Sequence, residues 1–226
     1  KITKLTLVDS DDYQGIPQGW IFGSTGGTVQ IHSVGYNTFS FYLYKQAYGQ
    51  DGKPLEGVYA DLNNDGRINS KDLYRSKSSE PKMTCGFSTS IAYRNWELST
   101  SLRGSFGNYM YNNMNSALAT YSNILSPSRT VLNAPRRVSD TNFYLNQPLS
   151  DFYLENASFV KMDNLSLSYD FGKVFHKKIG LRGTLSVQNV FTITDYSGLD
   201  PEIAGGVDRS FYPRPRTFAL GFNLNY

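Results

Sequence analysis

The sequence predicts an all-β chain whose long strands belong to one antiparallel, membrane-crossing sheet, part of the wall of a β-barrel. The closing residues give the plainest sign. Phe218, Leu220, Phe222, Leu224 and Tyr226 alternate with Ala219, Gly221, Asn223 and Asn225, the period of a strand with one greasy face. A wide apolar stripe on a terminal strand is an aggregation template in water and sits better in lipid. The connections between such segments alternate in length. They are short at 94–95 and 172–180 and long at 49–82, 107–155 and 193–215, the layout of an outer-membrane barrel with short periplasmic turns and long external loops. Hydropathy agrees: its mean is -0.41, and 18% of the 226 residues are charged. No run approaches the ~18 apolar residues of a membrane helix, and a barrel wall tolerates this because only every second residue meets lipid.

Taken in order, residues 1–8 alternate loosely as the tail of a strand. Residues 9–36 read as an irregular connection rich in Asp, Gly, Ser and Thr, with a short strand at 28–33. A long strand is expected at 37–48, with Phe39, Phe41 and Leu43 on one face, followed by a polar insert at 49–82. A hairpin comes next. Phe87, Thr89, Ile91 and Tyr93 face one way, and across the short turn Arg94-Asn95 so do Trp96, Leu98, Thr100, Leu102, Gly104 and Phe106. Its second arm, residues 96–106, approaches the ~9–11 residues needed to cross a bilayer at a tilt. It places Glu97 and Arg103 on the opposite face, which could be solvent or a watery lumen. Residues 107–155 carry a short helix within 109–121 and prolines at 127, 135 and 148; so long a connection is usually functional. Strands follow at 157–171, 181–192 and 216–226. Counting back from the end, the last strand runs inward and Tyr226 ends at the periplasmic rim, with the long loops outside.

About seven long strands result, whereas bacterial single-chain barrels have even counts. An open sheet in lipid would leave two edges of unpaired backbone groups, on the order of tens of kcal/mol at several per group. Further strands are therefore expected upstream. The chain lacks both an initiator Met and a signal peptide, and reads as a fragment or a processed product. Aromatics reach 15% of the chain, with 17 Tyr and 14 Phe, which suits barrel girdles and carbohydrate-binding β modules alike. A net charge of +3 without a basic run does not point to nucleic acid. The single Cys85 allows no internal disulfide.

One motif carries recognisable chemistry. Asp61, Asn63, Asp65, Gly66, Arg67, Asn69 and Asp72 stand at positions 1, 3, 5, 6, 7, 9 and 12 of a calcium loop. Oxygen donors would come from the side chains and from the Arg67 carbonyl, and the Gly would allow the sharp turn. Position 12 is Asp rather than Glu and no clear helix flanks the loop, so an Asx-rich turn closing on its own backbone fits the same residues. Catalysis finds little support. His32 and His176 lie in polar connections outside any metal spacing, Cys85 suits a packed residue, and Asp200 and Glu202 flank Pro201 as a solvated turn would. Loop aromatics including Tyr109, Tyr111, Tyr121, Phe143, Tyr144, Phe152, Tyr153, Tyr196, Phe211 and Tyr212 are candidates for stacking on sugars or anchoring peptides. Packing of loop against loop is the commoner use of such residues.

Taken together, four stretches resemble the C-terminal portion of SusC/RagA-type TonB-dependent outer-membrane transporters. They are Gly57-Val-Tyr-Ala-Asp61-Leu-Asn63-Asn-Asp65-Gly66-Arg-Ile-Asn69, Glu155-Asn156-Ala157-Ser158-Phe159-Val-Lys-Met-Asp-Asn164-Leu, Gln188-Asn189-Val-Phe191-Thr-Ile-Thr194-Asp-Tyr196-Ser-Gly198-Leu-Asp200-Pro201-Glu202, and Tyr212-Pro213-Arg214-Pro215-Arg216-Thr217-Phe218 with the aromatic strand that ends the chain. The likeness covers most of 37–226 and treats residues 1–226 as one C-terminal barrel segment. It implies a 22-stranded barrel in the bacterial outer membrane with an N-terminal plug, importing glycans or peptides. It also implies a SusD-like surface lipoprotein as lid, energy from the TonB complex through the plug, and no enzymatic activity or required cofactor. Gly221, Phe222, Leu224 and Tyr226 match the signal read by the barrel-assembly machinery. The plug, the TonB-contacting segment and much of the barrel are absent from these residues, so this chain alone is not expected to transport. The competing reading is a soluble calcium-stabilised β-sandwich that binds glycans; a glycosidase would need two carboxylates facing a cleft.

Overall fold

The amphipathic segments assemble into one sheet, and the polar connections between them fold into a unit of their own. The computed structural model describes residues 15–23, 27–124, 130–174, 178–209 and 212–226. The strands in chain order are β1 (Ile16–Trp20), β2 (Thr28–His32), β3 (Ser40–Tyr44), β4 (Gln46–Tyr48), β5 (Pro54–Tyr59), β6 (Leu73–Ser78), β7 (Met83–Tyr93), β8 (Trp96–Phe106), β9 (Tyr109–Asn112), β10 (Leu154–Asn156), β11 (Phe159–Val174), β12 (Ile179–Thr194), β13 (Val207–Asp208) and β14 (Thr217–Asn225). Two short helices, α1 (Asn113–Leu118) and α2 (Val138–Thr141), lie among them. No described helix is long and apolar enough to cross a membrane.

The sheet unit comprises Lys82–Phe106, Ser158–Asp195 and Tyr212–Tyr226. Its five strands pair antiparallel in the order β14-β12-β11-β8-β7. The expected hairpin is present, with Tyr93 opposite Trp96 across Arg94-Asn95 and Arg94 in the left-handed region at φ 53°. β11 and β12 run longer than the alternation alone marked, pairing down to Val174↔Ile179. The register places Phe87, Ile91, Tyr93, Trp96, Leu98, Leu167, Phe171, Leu185, Ile193, Phe218, Leu220, Phe222 and Leu224 on one face. They stay between 38% and 68% exposed. Full burial of each such side chain is worth about 1.5–3 kcal/mol, so an aqueous fold has strong reason to cover this face. In this unit no second sheet covers it among the described residues, and a β-sandwich requires one.

The opposite face is polar. The Arg182 guanidinium donates to the Glu97 carboxylate, which also accepts from the Ser90 hydroxyl at 2.9 Å, and Ser168 and Thr184 hydroxyls meet at 2.9 Å. One irregularity interrupts the ladder. β11 carries Asp163 between the pairs Met162↔Leu102 and Asn164↔Ser101, while on β12 Asn189 and Val190 lie between Phe191 and Gln188. Asn189 takes φ 54° there, a region Asn tolerates better than most residues. The extra residue slips the alternation by one, so that Met162 and Leu165 both serve the apolar face.

The loop unit draws on the described residues of Lys1–Pro81, Gly107–Ala157 and Tyr196–Phe211. It contains the sheet β1-β2-β3-β6, the hairpin β4-β5, and β9 held between antiparallel β10 and parallel β13. Its core is Ile21, Val29, Phe41, Leu43, Tyr111, Tyr153 and Val207, with a second, smaller cluster of Met110, Ala157 and Tyr196. Two expectations are corrected here. The strand expected at 37–48 is two strands in different sheets, broken at Lys45. Phe41 and Leu43 fill this core rather than reaching lipid, since alternation marks a buried face without saying what buries it. The polar insert at 49–82 is likewise folded, contributing β5 and β6. The strand tail expected at 1–8 lies outside the described residues, as do His176 and Phe211.

Candidate functional site

The Asp61–Asp72 loop folds around its own acidic side chains. Asp61 accepts backbone N–H bonds from Asp65 at 3.3 Å and Gly66 at 2.8 Å, Asn63 from Asp65 at 2.9 Å, and Asp65 from Arg67 at 2.9 Å. Asn69 Oδ1 accepts from the Lys71 N–H at 2.9 Å and caps the short 3-10 turn Ser70–Asp72. Asp72 is fully buried and gathers the backbone N–H groups of Asn69 at 2.9 Å, Leu62 at 2.9 Å and Asn63 at 3.4 Å. Those bonds, the Asn69 one foremost, hold its carboxyl below the usual carboxylate range against the opposing effect of burial. The turn is thus closed side chain to backbone, as an Asx-rich turn closes. Among the described residues, no group of three or more His, Cys, Asp or Glu side chains is arranged to hold a metal ion.

Away from this loop, two carboxylates organise the unit, and the sequence reading singled out neither. Glu155 accepts from the Ser197 backbone and hydroxyl at 2.8 Å each, from Asn112 Nδ2 at 3.3 Å and from Arg137 Nη1 at 3.2 Å. Arg137 in turn lies over the Phe152 ring at 4.8 Å. This ties the two long connections together at the Glu155-Asn156-Ala157 stretch. Next to it the Tyr196 hydroxyl donates to buried Asp208 at 2.8 Å, and burial, then Asp208, pushes the phenol far above its ordinary range. A Cβ on Gly198 would stand 2.4 Å from the Tyr196 ring and 2.6 Å from Asp208 Oδ2, so only Gly fits the turn. Asp151 is the second organiser, accepting from the Tyr74 hydroxyl at 2.5 Å and the Gln46 backbone at 2.8 Å. Tyr59 donates to Gln147 Oε1 at 2.8 Å. Every one of these oxygens is engaged by donors of the scaffold, an arrangement that fixes loops rather than one that moves protons.

The candidate loop aromatics separate by burial. Tyr111, Phe143, Tyr153 and Tyr196 are core residues, while Tyr121, Tyr144 and Tyr212 are exposed. Tyr144 and Leu145 are presented outward at 63% and 58% exposure because Glu56 accepts their backbone N–H groups at 3.0 and 2.6 Å. Leu55 and Val58, also exposed, lie in the same strand β5 as Glu56. Asp200 accepts the Glu202 backbone N–H at 3.0 Å and closes a turn. Cys85 is exposed on the apolar face of the sheet. At the terminal strand, Phe222 and Leu224 lie on the apolar face, Gly221 on the polar one, and Tyr226 is fully exposed.

No family model matches the chain. It is 36% identical over its whole length to the TonB-dependent receptor SusC of Bacteroides thetaiotaomicron, covering 23% of that protein. It is 29% identical, over 78% of its length, to the TonB-dependent receptor P3 of Formosa agariphila, covering 19% of it. Among solved structures it is similar to the RagAB peptide importer in its open-open state, with a TM-score of 0.65 and 25% identity over 90% of this chain and 24% of that one. A second structure of the RagAB peptide transporter, at 24% identity and a TM-score of 0.65, shares the fold. The chain spans about a quarter or less of the length of these proteins.

Proposed function

The chain belongs with the SusC/RagA-type TonB-dependent receptors, and on that premise we propose that it forms wall and external loops of an outer-membrane importer of oligosaccharides or peptides. The observation that carries this reading is a single five-stranded sheet with one continuous apolar face left exposed, in a chain so similar to SusC along its whole length. In this reading the apolar face meets lipid and the polar face, with Glu97, Arg182 and Arg103, meets the lumen. The loop unit, held by Glu155 and Asp151, lines the outer chamber. Tyr144 and Leu145 are its outward contacts for substrate or for a SusD-like lipoprotein. Energy comes from the TonB complex through a plug outside these residues, the barrel-assembly machinery reads Gly221, Phe222, Leu224 and Tyr226, and no reaction is catalysed. Deleting the whole receptor in its host should abolish uptake of a peptide or oligosaccharide, and disabling TonB should do the same; uptake that survives the deletion sinks the reading.

We propose that this segment, while requiring no cofactor, can take calcium at Asp61, Asn63, Asp65, Arg67, Asn69 and Asp72. The support is the spacing of oxygen donors for a hard cation. Calcium should raise the thermal midpoint of the full receptor but not that of its Asp61→Ala/Asp65→Ala variant. Equal responses to calcium, or none in either, would remove it.

A further inference from the structure

β14 pairs with β12 from Gly180↔Asn225 to Gln188↔Thr217, and the apolar rungs are Leu181↔Leu224, Gly183↔Phe222, Leu185↔Leu220 and Val187↔Phe218. A slip of one residue would turn all of the β14 side chains to the wrong face, and the hydrophobic pattern forbids it. A slip of two residues keeps every side chain on its own face. In one direction Leu185 would meet Phe222 and Val187 would meet Leu220; in the other Leu185 would meet Phe218 and Leu181 would meet Phe222. Apolar still meets apolar, so the pattern hardly resists either slip. What does resist sits at one end of the ladder. Immediately beyond Gln188, Asn189 takes φ 54°, and its Nδ2 donates to the carbonyls of Arg214 at 2.9 Å and Pro215 at 3.3 Å. Arg216 Nε donates back to the Asn189 carbonyl at 3.5 Å. The first slip would carry Arg214 and Pro215 past Asn189 and break this clasp. The second would set Pro215 opposite Gln188, and Pro brings no N–H to a ladder. At mid-ladder a Cβ on Gly183 would lie 3.2 Å from the Phe171 ring and 3.6 Å from the Phe222 ring. Aromatic cover over a strand glycine helps to pin register, and a slip would replace Phe222 there by Leu220 or Leu224.

We infer that Asn189 is a register gauge: by clasping the carbonyls of Arg214 and Pro215 it admits β14 in one pairing with β12 and excludes the pairing two residues away. The residue type suits the task. Asn tolerates the left-handed backbone better than most residues, and its amide offers two N–H donors for two carbonyls. Pro213 and Pro215 hold φ fixed on either side of Arg214, so the stretch that Asn189 grips is stiff. The effect reaches the outer edge of β14. A slip of two residues would move every donor and acceptor on that edge by about 7 Å, and any strand pairing there would move with it. This role follows from the sheet alone and holds whatever solute the receptor imports.

Register is read by disulfide trapping in the full-length receptor assembled in membranes, with Cys85→Ser removing the thiol of this stretch. Ala219→Cys is combined in turn with Ser186→Cys, its partner in the observed pairing, with Gln188→Cys, its partner after the first slip, and with Thr184→Cys, its partner after the second. Directly opposed residues lie about 4.5–5.5 Å apart and diagonal ones about 7–8 Å, and a disulfide bridges only the former. On oxidation the parent should link Ala219→Cys to Ser186→Cys and hardly to the other two. Asn189→Asp keeps the side-chain shape and loses the donors. It should raise the share of the Gln188→Cys link about ten-fold, the scale of two neutral hydrogen bonds, and leave the Thr184→Cys link low because Pro215 still opposes that slip. Asn189→Gly keeps the left-handed backbone and should behave alike, which assigns the effect to the amide. An unchanged Gln188→Cys link in both variants overturns the gauge, as does a parent that links all three positions equally. A rise at both slipped positions marks general loosening of the edge and overturns it too. So does failure of both variants to assemble, since a lost gauge leaves a wall in the wrong register rather than no wall.

Discussion

Tyr74 and Tyr59 show how single side chains set the tolerance of the loop unit. Burial first, then hydrogen bonding to Asp151, pushes the Tyr74 phenol up to about 12 from 10.0; burial, then Tyr44 and Asp151, does the same for Tyr59. A folded value above the unfolded one means a stabilising contribution that is complete below pH 10.0 and lost as pH rises toward about 12. The near-ultraviolet circular dichroism of the full receptor should therefore collapse in that alkaline window. In a Tyr74→Phe variant the collapse should shift to higher pH, at a cost near neutrality of about 1.5–3 kcal/mol for the lost bond to a charged acceptor. Superimposable alkaline profiles would show that the phenol does not control the transition. Asp72 illustrates what sequence leaves dark at this scale. Spacing marked it as a cation ligand, but only the folded chain reveals it as the buried acceptor of three backbone N–H groups. Glu155 gave no spacing signal at all, because its partners Asn112, Arg137 and Ser197 are scattered along the chain.

Among the elements, the strands of the five-stranded sheet were legible because their alternation is strict and each hairpin turn is short. The irregularity at Asp163 was not, since one inserted residue leaves apolar residues on both sides of the slip and resembles ordinary alternation. The strands of the loop unit were largely missed. They run three to six residues apart from β13 with two, too few for periodicity to rise above turn chemistry. β14 tests the assignment of faces. Lysine at Phe222, on the apolar face, should destabilise the full receptor by about 2–4 kcal/mol if it lies near the bilayer midplane, and lysine at Ala219, on the polar face, by far less. Unfolding by denaturant in lipid bilayers measures both, and equal losses would mean the faces are misassigned.

At the scale of the whole molecule, β14 pairs only with β12 and β7 only with β8 among the described strands. The sheet as described is open at both edges, and in lipid each unpaired backbone group costs several kcal/mol; the membrane form therefore needs further strands beside it. The two units are also threaded through each other in sequence: the chain leaves the sheet after Phe106 and again after Asp195, and each time returns. That weave has a kinetic meaning. Each doubling of a closing loop adds only about 0.6 kcal/mol, so the detours burden stability little, but pairings so distant in sequence form slowly. Neither unit can be completed from an early portion of this stretch, because one waits for residues 196–211 and the other for 212–226. A stretch built this way keeps apolar strand faces and open edges unsatisfied until residues 212–226 are available to pair.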